Sequence, residues 1–138
     1  MITQQNPTMT LNNGIRMPAL GFGVFLNPPE QTAQAVRTAL HAGYRMVDTA
    51  SAYLNERAVG EGIRTSGIDR EQVFVTTKIF PSEYGHDTAQ KAFDGSLERL
   101  GLDYLDLYLL HRPTSTRRSP PTGRRRSCWP TGACGPSG

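Results

Sequence analysis

Apolar and polar positions along this chain fall into two alternating rhythms. Met9-Thr10-Leu11 and Ile15-Arg16-Met17 flank Asn12-Asn13-Gly14 and predict a small hairpin. Asn13-Gly14 tolerates the positive φ of a type I′ turn. Leu20 to Phe25 predicts the next strand, in which Gly21 and Gly23 let backbone or ligand come close. Pro28-Pro29-Glu30 suits a helix start; Ala33, Val36 and Leu40 recur at helical spacing, and Gly43 fits the stop. A strand ending on Asp48 follows. Asn55, a good cap, opens a second helix with Val59 and Ile63 on its inner face. Gly60 and Gly62 weaken that helix and Gly67 closes it. Val73 to Lys78 is again strand-like, and Phe80-Pro81 begins a loop holding Tyr84-Gly85-His86. Asp87 or Thr88 caps a third helix with an inner stripe of Ala89, Ala92, Phe93, Ser96, Leu97 and Leu100, ended by Gly101. Leu105 to Leu110 enters the last strand. His41 and His86 read as solvated. Strand alternating with helix demands a parallel sheet with right-handed crossovers.

Three of these strands end on residues that carry chemistry. They are Asp48, Lys78 and His111, spaced 30 and 33 residues apart, with Tyr53 on the loop after the first. A (β/α)8 barrel of about 250 residues divides into units of roughly 31, and its functional groups sit at strand C-termini. Asp48, Tyr53, Lys78 and His111 are therefore expected on one face. Singly, each has an ordinary reading: a turn acid, a rim aromatic, a surface amine, a structural imidazole. The pattern across successive strand ends favours a shared site. Gly21-x-Gly23 is no dinucleotide fingerprint, because the third glycine and the helix opening are missing.

The run Gly43-Tyr44-Arg45-Met46-Val47-Asp48-Thr49-Ala50-Ser51-Ala52-Tyr53-Leu54-Asn55-Glu56 closely resembles the aldo-keto reductase family. So do Met17-Pro18-Ala19-Leu20-Gly21-Phe22-Gly23, Thr77-Lys78-Ile79-Phe80-Pro81 and Leu109-Leu110-His111-Arg112-Pro113. The resemblance runs from about Leu11 to Pro113. It implies an α/β fold, part of a (β/α)8 TIM barrel, with the hairpin plugging the barrel bottom. It implies NADPH as hydride source, with Gly23, Val24 and Asp48 beside the nicotinamide. Phe25, Phe80 and His111 would line the pocket for a small aldehyde or ketone, including sugar-like or keto-acid carbonyls. Asp48, Tyr53, Lys78 and His111 would be the catalytic set, and no metal is assigned. Phenols ionise near pH 10, and an ammonium in reach favours the phenolate. Tyr53 would protonate the carbonyl oxygen, Lys78 would assist it, Asp48 would hold Lys78, and His111 would orient the substrate. Complete relatives are expected to be monomeric.

Length and charge then divide the chain. Its 138 residues are too few for a complete barrel of about 250. Residues 1–111 hold nine basic and twelve acidic side chains; residues 112–138 hold six Arg and no acid. That tail contains Cys128, Trp129 and Cys134 and lacks Leu, Ile, Val, Phe and Met, so it is expected to be disordered. Two readings follow. One is a basic segment that contacts nucleic acid through Arg124-Arg125-Arg126, making the chain a non-catalytic binder. The favoured one is a reading-frame shift between His111 and about Gly123, leaving a truncated, inactive reductase copy. Back-translating Cys128 to Gly138 into GC-rich codons and reading two bases later yields Leu-Ala-Asp-Gly-Arg-Val-Arg-Ala-Ile-Gly. No run approaches the roughly 18 apolar residues of a membrane helix. The polar Met1 to Thr10 is not a secretory signal, so a cytoplasmic protein is expected.

Overall fold

A computed structural model describes residues 7–113. It opens with an antiparallel hairpin, β1 (Thr8–Thr10) and β2 (Arg16–Pro18), in the register Met9 to Met17. The turn is not type I′. The Gly14 N–H donates to the Leu11 carbonyl, and only Gly14 takes positive φ, at 84°. A three-residue loop with glycine at the left-handed position meets the sharp reversal without straining Asn13.

The body is a four-stranded parallel sheet in the order β3 (Phe22–Gly23), β4 (Met46–Asp48), β5 (Phe74–Ile79), β6 (Leu107–Leu110). Three helices alternate with the strands: α1 (Pro29–His41), α2 (Glu56–Arg64) and α3 (His86–Leu100). Hydrophobic periodicity thus locates these strands and α-helices, but not the 3₁₀ turns Ser51–Tyr53, Arg70–Gln72 and Pro81–Glu83. β3 is shorter than the expected Leu20 to Phe25. Leu20 is exposed, and Leu26 turns the chain out of the sheet with φ at 59°. α3 begins at His86, with Gly85 in the capping position. Neither Asp87 nor Thr88 caps it, and His86 is its exposed first residue, its ring 2.8 Å from Asp87.

Val24, Val36, Leu40, Val47, Val59, Ile63, Val73, Val75 and Leu100 form the core between sheet and helices. Gly60 and Gly62 do more than weaken α2. A Cβ at Gly60 would overlap the backbone carbonyl of Leu100, and one at Gly62 would lie 2.7 Å from the Ala33 carbonyl oxygen. The glycines let α3 and α1 close on α2 from either side. α3 ends on Gly101 in the left-handed conformation, where the Gly101 and Leu102 N–H groups both reach the Leu97 carbonyl. Glu56, at the first turn of α2, is 2 % exposed. It accepts a hydrogen bond from Thr77 Oγ1 at 2.7 Å and pairs with Arg99 at 2.6 Å, tying α2, β5 and α3 together. Tyr108 on β6 packs edge-on against Phe93. Burial pushes its phenol up to about 12, against the lowering effect of its hydrogen bond to Ser96. No helix among the described residues is long and apolar enough to cross a membrane. The expected disordered tail and the frame shift fall on residues 112–138, nearly all outside the described ones.

Candidate active site at the strand ends

Register and parity bring the three strand ends together. Asp48 lies opposite Thr76, so Lys78, two residues on, faces the same side. Lys78 lies opposite Leu109, and His111 again follows two residues later. The three groups therefore climb by two positions at each strand and meet beyond the strand C-termini.

Lys78 Nζ donates to Asp48 Oδ2 at 2.7 Å and to the Thr49 carbonyl at 2.9 Å. The Lys78 side chain is 15 % exposed and that of Asp48 31 %, so the pair is shielded but still reachable. An ammonium has three donors; here two are taken within the protein. Its nitrogen lies 5.2 Å from the centre of the Tyr53 ring. Tyr53 closes a single 3₁₀ turn, Ser51–Tyr53. That turn is pinned to β5 by Ser51 Oγ, which donates to the Lys78 carbonyl at 3.1 Å.

His111 stands edge-on to Tyr53, with ring centres 5.7 Å apart and planes at 88°. Its N–H donates to the Ile79 carbonyl, extending the β5–β6 ladder past β6. Its Nδ1 is buried without a hydrogen-bond partner among the described residues. Phe25 packs against Tyr53 at 5.0 Å and is 65 % exposed. Phe80 faces His111 at 6.3 Å, with the Arg112 guanidinium over its outer side. Gly23 lies opposite Asp48, and a Cβ there would meet nothing within 4 Å. Seven of the eight residues expected at the site thus border one mouth.

Val24 is the exception. It is fully buried in the core and offers no surface to a ligand. Alternation along β3 sends it to the helix side while Gly23 keeps the register of Asp48.

Asn55 also differs from its expected role. It stands at the N-cap of α2 but makes no side-chain cap. Its Nδ2 donates to the carbonyls of Val24 and Asn27, and its Oδ1 accepts from Thr49 Oγ1. The sequence carried no signal for this, since a cap and a loop clamp use the same side chain. An open cleft of about 470 Å³ flanks the mouth, bordered by Ser51, Ala52, Leu54, Glu56, Phe80 and Arg99.

This arrangement resembles known proteins over most of the described chain. Morphine 6-dehydrogenase of Pseudomonas putida is 59% identical over 110 residues, covering 80% of this chain and 37% of that enzyme. The crystal structure of an aldo/keto reductase from Brucella melitensis superposes with a TM-score of 0.76 at 48% identity, covering 78% of this chain and 41% of that one. A Bombyx mori aldo-keto reductase solved in complex with NADP gives 0.76 at 39% identity, covering 83% and 40%. The chain thus spans about two fifths of the length of these relatives, and its four parallel strands are part of a (β/α)8 barrel. The model of the Aldo/keto reductase family matches residues 19–122, three quarters of the chain, and the chain belongs to that family.

Proposed function

We propose that the site serves NADPH-dependent reduction of a small aldehyde or ketone to an alcohol. The observation that carries this reading is the Asp48–Lys78 pair held beside the Tyr53 ring. Tyr53 donates its phenolic proton to the carbonyl oxygen. Lys78, held in place by Asp48 and the Thr49 carbonyl, stabilises the phenolate left behind. His111 offers an imidazole beside Tyr53 and orients the same oxygen. A reduced nicotinamide, when bound, supplies the hydride that no side chain can.

The residues present fit such a ring. Gly23 leaves open space beside Asp48, and the exposed face of Phe25 adjoins Tyr53. Gly23 and Asp48 would hold the nicotinamide end, and Phe25, Phe80 and His111 would wall the substrate. The test incubates the full chain with NADPH and an aromatic aldehyde and follows loss of NADPH absorbance. Turnover that Tyr53→Phe lowers by about a hundredfold or more, as removal of a proton donor does, would support this reading over the truncated, inactive copy that the shifted frame implies. Equal activity in both proteins would remove Tyr53 from the chemistry.

A further inference from the structure

The two loops that flank the mouth each contain a leucine in the left-handed backbone region, Leu26 at φ 59° and Leu54 at φ 58°. They are the only non-glycine residues with positive φ among the described ones. Both are almost fully exposed, at 82 % and 85 %, so side-chain packing does not hold them there. Unfavourable backbone conformations persist only where the surroundings over-determine them.

One side chain lies between the two loops. Asn55 follows Leu54 directly and is 1 % exposed. Its Nδ2 bridges the Val24 carbonyl at 2.9 Å and the Asn27 carbonyl at 3.2 Å, on either side of the Phe25-Leu26 tip. Its Oδ1 accepts from Thr49 Oγ1 at 3.0 Å, one residue past Asp48. The Asn27 N–H closes the tip onto the Val24 carbonyl, and Thr32 Oγ1 adds a further bond to Asn27. A single buried amide thus joins the loop bearing Phe25 to the loop bearing Tyr53.

We infer that Asn55 is a positioning residue for the site: it sets the 5.0 Å contact between the Phe25 wall and Tyr53. The role of that contact in reduction rests on the function proposed above; the positioning itself does not. The hydrogen bonds of the Asn55 side chain go to Thr49 and to the Val24 and Asn27 carbonyls, so it acts through the two loops that carry the rings.

The test uses the full chain and Asn55→Ala, with Asn55→Asp as the second variant. Asp keeps the acceptor for Thr49 and removes the donor to Val24 and Asn27. Nuclear Overhauser contacts between the Phe25 and Tyr53 rings are read together with those within the Val36–Leu40–Val59 core. The expected result is loss of the ring contact with core contacts kept. Chymotryptic cleavage after Phe25 should also be about tenfold faster. Should Asn55→Ala lose its core contacts, Asn55→Asp is read alone. Retention of the ring contact at wild-type intensity in a folded variant overturns the inference. Carbonyl reduction is measured in parallel, and a tenfold rise in KM with a smaller change in kcat is expected. Absence of activity in the wild-type chain would count against the proposed function, while the ring contact still decides the role of Asn55.

Discussion

At the scale of single residues, strain and exposure coincide at Leu54. A left-handed conformation costs an L-residue about 1–2 kcal/mol, and the 85 % exposed side chain recovers little of it by burial. Glycine removes that cost and adds about 0.5–1 kcal/mol of unfolded-state entropy. Leu54→Gly is therefore expected to stabilise the protein by about 0.5 kcal/mol, measured as a higher denaturant midpoint. A lower midpoint would show that the side chain holds the loop through contacts of its own. Asp48, Lys78 and His111 were legible in the sequence because each ends an apolar run, and their spacing repeats. The family motif places Val24 and Gly23 together beside the cofactor. The structure separates them, because neighbouring residues on a strand face opposite sides.

At the scale of elements, the helices rest on close approach as much as on their apolar stripes. The stripes were readable: Val36 and Leu40, Val59 and Ile63, Ala92, Ser96 and Leu100 recur at helical spacing and are buried, while Ala33, Ala89, Phe93 and Leu97 of the same stripes are half-buried. The meaning of Gly60 was not, because what it meets is the Leu100 carbonyl, forty residues away in the chain. Two effects oppose each other on substitution. Alanine gains about 1 kcal/mol in a helix over glycine. Inserting a methyl where there is no room costs typically about 1–3 kcal/mol, and here the obstacle is backbone, which cannot swing aside. Gly60→Ala is expected to lower stability by up to about 2 kcal/mol net in urea unfolding. A gain would mean that the α2–α3 contact is looser than described. The hairpin turn shows the same limit. Asn-Gly marks a reversal, but whether one or both residues take positive φ depends on the strands that must pair.

At the scale of the whole molecule, stability in alkali should report on Tyr108. Its phenol ionises near 10 in the unfolded chain and is held at about 12 in the fold. The raised folded value means the contribution is fully present below pH 10. It is lost as pH rises from there toward about 12, because the unfolded state releases the proton first. Denaturant midpoints should fall across that window, and Tyr108→Phe should flatten the fall. An unchanged slope would place the titrating group elsewhere. A last consequence follows from the tethering of Lys78. An ammonium ordinarily spins about its final carbon–nitrogen bond within picoseconds to nanoseconds, as exposed side chains do. With two protons tied to Asp48 and Thr49, that rotor is braked, and its third proton keeps one heading. The lysine then behaves less as a floating charge than as a compass needle, its direction set by the frame before any ligand arrives.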